Sequence, residues 1–169
     1  MTREAAIAVM IAIAVLIIAL GAFGWWRRTH RDRGTSAPFG EAPDSARELN
    51  RFTALYVATT QHGEPLERLA IRGLGYRSRG TVTVTDAGVA LDLTGQPRMF
   101  FATGRLLDVA QATVAIDRVV ERDGLTRLTW RTDDDTIVDS YLRPQDASAL
   151  ALANAVRSIL TPTPTGTDA

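Results

Sequence analysis

Apolar and polar positions follow three different periods along the chain. From Ala5 to Trp26 there are 22 consecutive residues without a charge. At a rise of about 1.5 Å per residue, a helix of that length spans roughly 33 Å, close to the ~30 Å hydrocarbon core of a bilayer. The run is apolar on every face, which argues against a helix half-buried on a globular core. Trp25 and Trp26 close it where an interfacial aromatic belt would lie. Residues 1–26 are therefore predicted to form a transmembrane helix, with residues 5–26 facing the lipid bilayer.

Further on, the period falls to two. Residues 52–60 (FTALYVATT) are rich in aromatic and β-branched side chains and predict a first strand. After a turn around Gly63, Glu64 and Pro65, residues 66–72 predict a short second one. Val82 and Val84 alternate with Thr81, Thr83 and Thr85. Asp86, Ala87 and Gly88 then turn the chain into residues 89–93, with Val89, Leu91 and Leu93 inward and Asp92 outward. Gly95, Gln96 and Pro97 turn it again toward Met99, Phe100 and Phe101. Asp123 and Gly124, between residues 113–121 and 125–131, predict a two-residue hairpin, because glycine readily takes a positive φ. On its second arm Leu128 and Trp130 face the core and Arg127, Thr129 and Arg131 face away. Asp133, Asp134 and Asp135 turn into residues 136–142.

The last change of period is to a helix. Ala149, Leu152, Ala153, Val156, Ile159 and Leu160 share one stripe, with Asp146 placed to cap its start and Pro162 to stop it. Six to eight short strands and one amphipathic helix make a mainly β domain, its helix burying the stripe against a bent antiparallel sheet. Residues 27–46 lack apolar periodicity and read as a basic, flexible juxtamembrane linker, and residues 162–169 as a disordered tail. The domain is expected over residues 47–161.

Charge gives this layout a direction. The formal net charge is zero, yet residues 1–34 carry Arg3, Arg27, Arg28, Arg31 and Arg33 against Glu4 and Asp32, and the remainder is net −3. The positive-inside rule then puts the domain on the cytoplasmic side of a single-pass protein of the inner cell membrane. Arg27, Arg28, Arg31 and Arg33 also suit contact with anionic lipid, worth about 1 kcal/mol each near the surface. A cleaved signal peptide ending near Ala19, Leu20 and Gly21 would export the domain instead. The length of the run and the arginines behind it favour the span.

Composition removes much chemistry. With no cysteine there is no disulfide, thiolate metal site or cysteine nucleophile. All 19 basic residues are arginine, so no Schiff-base or P-loop lysine exists. His30 and His62 are too few for a polyhistidine zinc site. The Asp133, Asp134, Asp135 run lacks the glycine and terminal glutamate of a calcium loop. His62 has no catalytic motif around it. No cofactor and no enzyme activity are expected, and a net-negative domain without a basic stripe argues against nucleic acid.

The leading strand FTALYVATT, the piece GLGYRSRG at 73–80, TVTVTDAGVALDL at 81–93, the Asp-Gly pair with Trp130 and the closing helix together resemble a bacterial pleckstrin-homology-like (PH-like) domain. The type is that of small actinobacterial proteins with one N-terminal transmembrane helix, and the resemblance covers roughly residues 50–160. It implies two roughly orthogonal antiparallel sheets with the C-terminal helix plugging one end, and lipid or protein recognition without catalysis. In phosphoinositide-binding relatives the loop joining the first strands is basic, which makes Arg77, Arg79 and Gly75 the candidate anion or headgroup site. This chain departs from that pattern in having no lysine and a net-negative domain. The expected function is a membrane-anchored, non-enzymatic module that binds a membrane or cytoplasmic protein. The alternatives are recognition of an anionic lipid or small anionic ligand, or an exported domain. Phe100, Phe101 and Trp130 read as core, and Ala8 with Ala12 as a small-residue pair of the kind an alanine-rich helix has by chance.

Overall fold

The computed structural model describes residues 3–31, 36–115, 118–119 and 124–160. Its contacts divide the chain into Met1–Gly34 and Thr35–Ala169. The first unit is one helix, α1 (Arg3–Arg31), 29 residues long. Its described side chains, Met10, Ile17, Ile18 and Leu20 among them, are exposed. Taken over the described residues alone, no helix is long and apolar enough to cross a membrane. Within α1, however, the side chains of Ala6, Ala8, Trp25 and Trp26 fall outside the described set, and they belong to the same uncharged run.

The second unit is built on β1 (Glu48–Gln61), β2 (Ser78–Thr85), β3 (Gly88–Leu93), β4 (Met99–Ala102), β5 (Leu106–Ala112), β6 (Val114–Ala115), β7 (Arg118–Val119), β8 (Leu125–Arg131), β9 (Ile137–Pro144) and α2 (Ala149–Arg157). Seven strands form one sheet in the order β4-β3-β2-β1-β9-β8-β5, with every pair antiparallel, and β6 pairs with β7 apart from it. The mainly β domain with a C-terminal helix is as expected. In place of two separate sheets there is one, hinged on β1. The first half of β1 pairs with β2 and the second with β9, and the register shifts between Tyr56 and Ala58. An extra residue there, Val57, bends and twists the strand. The sheet thus folds back on itself. Phe101 of β4 meets Trp130 of β8 edge-to-face, with ring centroids 5.0 Å apart.

Inside lie Val82, Val84, Val89, Leu91, Met99, Phe101, Trp130 and Val138, each nearly inaccessible. The helical stripe joins them: Leu152, Ala153 and Val156 are buried, and Ile159 and Leu160 pack beyond the helix end. Phe100, next to buried Phe101, is only half-buried, as alternation along β4 requires.

Four local expectations are corrected. Residues 66–72 are not a strand. Leu69 N donates to Thr59 O at 2.9 Å, after which Leu69, Ile71 and Leu74 turn into the core, a burial that a straight edge strand would forgo. The partner of β8 is β5, not residues 113–121, with Ala112 opposite Leu125. Pairing with β5 lets Val109 and Leu106 join the core; Asp123 itself lies outside the described residues. The cap of α2 is Ser148, whose Oγ accepts from Ala151 N at 3.1 Å, while Asp146 accepts from Thr53 N at 2.9 Å. Thr83, Thr85 and Thr129 stand on the face expected of them and are buried there. Residues 36–40, expected within the flexible linker, are instead held against the domain. Ala37 N donates to Arg72 O, Phe100 N to Pro38 O and Gly40 N to Arg98 O, and Ala37 is buried in the core. Residues 162–169, with Pro162, lie outside the described residues.

Candidate functional site

The connection between β1 and β2, residues 62–77, is held from below by a chain of buried polar groups. Tyr56 O–H lies 2.7 Å from Leu74 O, and a carbonyl can only accept, so the tyrosine proton is committed there. Thr59 Oγ1, 2.9 Å from the Tyr56 oxygen, therefore donates to it. Ser140 donates in turn to Thr59 at 2.7 Å, and Trp130 Nε1–H to Ser140 at 2.9 Å. Four side chains on β1, β8 and β9 thus pass one hydrogen-bond direction through the core and end on the backbone of the connection. Burial pushes the Tyr56 phenol well above the ordinary tyrosine range, the Thr59 hydrogen bond opposing it, so it is a neutral donor. On the outer face, Asp139 is 2% exposed, accepts from Thr129 Oγ1 at 2.6 Å and lies 3.1 Å from His62 Nδ1. His62 starts the connection, so this contact ties its first turn to β9.

Above these ties the connection forms a groove of about 480 Å³, lined by Arg72, Gly73, Gly75, Tyr76 and Arg77 on one side and Thr94 and Gln96 on the other. Gly73 takes φ 89°, and a side chain there would strike the Phe39 ring. Gly80 passes so close to the Asp92 carbonyl that a Cβ would overlap it. Of the glycines in the 73–80 stretch, Gly75 lines the groove with open space around it.

The arginines divide into two groups. Arg51 pairs with Glu48 at 2.6 Å, Arg98 with Asp92 at 2.6 Å and Glu41 at 2.8 Å, Arg105 with Asp133 at 2.7 Å, and Arg127 with Asp108 at 3.1 Å. Hydrogen bonds donated to Asp92 and Glu41 push the Arg98 guanidinium further up, and Arg51 holds the Glu48 carboxyl below its usual range. Arg68, Arg72, Arg77, Arg79 and Arg143 have no acidic partner among the described residues.

Of the residues singled out in the sequence, Arg77 and Gly75 line the groove, and Arg79 does not. It stands exposed on β2, opposite Leu55. Trp25, Trp26, Arg27, Arg28 and Arg31 fall in α1 with side chains outside the described set, and Arg33 lies outside the described residues altogether. Asp133 and Asp135 are turned toward Arg105 and Arg131. Among the described residues no three metal-ligating side chains converge. Sequence reasoning missed Arg72, Arg143 and the tie between His62 and Asp139. Arg143 lies one residue beyond the strand expected over 136–142; the observed β9 runs on to Pro144, and which residues lie opposite Arg143 and Asp139 depends on strand register.

Residues 36–157 match the family described as bacterial PH domain-like, and the chain belongs to it. Its first matched residue, Ser36, bridges to Arg72 of the connection between β1 and β2. Domains of the PH-like kind are in general binding modules without catalysis. No curated protein matches the chain. A crystal structure of the C-terminal domain of an unknown protein from Leishmania infantum is a distant likeness, at 12% identity and a TM-score of 0.44 over 82% of this chain and 96% of that one.

Proposed function

We propose that this is a membrane-anchored, non-enzymatic module of the single-span, actinobacterial kind, whose cytoplasmic PH-like domain binds a partner protein at the membrane surface. The observation that carries the anchor is α1. A 29-residue helix exposing Met10, Ile11, Ile17, Ile18 and Leu20 has an apolar surface that water disfavours at roughly 25 cal/mol per Å² and that lipid accommodates. Arg27, Arg28, Arg31 and Arg33 set the orientation, and Trp25 and Trp26 the interface. Anchoring raises the effective concentration of the domain toward other membrane-bound proteins. Alkaline phosphatase fused after Ala169 should be inactive and a fluorescent protein at the same point should fluoresce. Strong phosphatase activity would reverse the orientation and favour export.

A second reading rests on the groove. Arg72 and Arg77 face it with no acidic partner among the described residues, which suits a phosphate or carboxylate of a lipid headgroup or free ligand. Glycerol phosphate titrated into the detergent-solubilised chain should shift the resonances of residues 72–77. The Arg72→Glu, Arg77→Glu variant should lose that shift.

A further inference from the structure

Across the outer face of the sheet runs a row that neither groove nor core uses. Leu55 of β1 is opposite Arg79 of β2 on one side and Arg143 of β9 on the other. Directly opposite residues share a face, so all three side chains stand on the outer surface. Neighbouring strands lie about 4.8 Å apart, which puts the two arginine backbones about 10 Å from each other with the leucine between them. Both arginines are exposed and Leu55 is half-buried.

The acids nearest in register are already engaged. Asp92, one row away opposite Thr81, is held by Arg98 at 2.6 Å. Asp146 accepts from Thr53 N at 2.9 Å. Arg51, Arg98, Arg105, Arg127 and Arg131 each pair with a carboxylate; here two guanidinium groups flank one leucine, and among the described residues no carboxylate pairs with either. We propose that Arg79, Leu55 and Arg143 form a docking surface for an acidic segment of a partner protein, one with an apolar side chain between two carboxylates. The proposal rests on the protein-binding reading above and gives that reading a surface. A bilayer fits the row less well. Leu55 does not protrude from the sheet, whereas the most exposed apolar side chains among the described residues of the domain, Tyr76 at 87% and Leu66 at 74%, stand on the connection between β1 and β2.

The test uses the full chain in neutral-lipid nanodiscs and a fluorescein-labelled peptide of alternating Glu and Leu, read by anisotropy. Binding should weaken as salt rises. The Arg79→Glu, Arg143→Glu variant should weaken it by about tenfold or more, since two charge-assisted contacts become repulsive. Its melting temperature should hold, as neither arginine has an acidic partner to lose among the described residues. Arg79→Lys with Arg143→Lys should lose less, keeping the charge without the planar fork. Arg72→Glu with Arg77→Glu should change affinity by no more than about twofold. Peptide affinity indifferent to the Arg79 and Arg143 reversal, or lost equally in the groove variant, overturns the proposal. So does salt-sensitive capture of phosphatidylglycerol vesicles through Arg79 and Arg143 without peptide binding. If the fusion reporters place the domain outside while peptide binding persists, the membrane reading fails and the docking surface stands. If a partner binds regardless of Arg79 and Arg143, the reverse holds.

Discussion

The two halves of the sheet achieve burial in different ways. In the half formed by β4, β3, β2 and the start of β1, the inner face is apolar throughout (Val82, Val84, Val89, Leu91, Met99, Phe101), and charges pair in solvent, as Arg98 does with Asp92 and Glu41. In the half formed by the end of β1 with β9, β8 and β5, polar groups are buried on both faces. Thr59 and Ser140 sit inside, and Asp139, Thr129 and Thr60 outside. Apolar contact is nearly non-directional and accepts side chains of similar volume, whereas a buried hydrogen bond needs its partner at one place. The first half can therefore vary in detail. The second is fixed residue by residue, and through Tyr56 and His62 it fixes the connection that carries the groove.

The largest effect should come from Val156→Asp, which places an unpaired charge between α2 and the second half. A cost of about 3–5 kcal/mol is expected, enough to unfold a marginal domain, read as lost near-ultraviolet circular dichroism. Asp139→Ala strips Thr129 and His62 of a buried carboxylate and should cost about 2–3 kcal/mol in urea unfolding. Tyr56→Phe keeps the ring and leaves the Leu74 carbonyl without its donor. A loss of about 1–2 kcal/mol is expected, with faster amide exchange concentrated in residues 70–77. An equal rise across the first half would show that the two halves are not separately held. Leu91→Met, in the first half, should cost under about 1.5 kcal/mol. A cost matching that of Asp139→Ala would erase the contrast.

The smallest effect depends on pH. The Thr53 backbone N–H holds the Asp146 carboxyl below its ordinary range, so the carboxylate contributes stability that is full above the unfolded value and is lost as pH falls through the folded one. Asp146→Ala should melt slightly below the parent at neutral pH, and the gap should close in acid. A gap that stays constant down to strong acid would show that the contact acts through packing alone.

The sequence by itself determined the uncharged run of the first unit, the alternation that sends Val82, Val84, Leu91, Leu128 and Trp130 inward, and the stripe of Leu152, Ala153 and Val156. These are local periods, and local geometry converts them directly into faces. The tertiary structure decided what local patterns do not encode. It chose β5 over residues 113–121 as the partner of β8, because that choice buries Leu106 and Val109. It turned residues 66–72 away from a strand because Ile71 and Leu74 gain more in the core, and it drew Ala37 out of the linker for the same reason. Asp146 went to Thr53 and left the helix cap to Ser148. The candidate sites belong to this second class. Arg79 was visible as an arginine in a glycine-rich stretch, but its place beside Leu55 and Arg143 follows from the registers of β1 with β2 and β9, and register is set by the burial of whole strands at once.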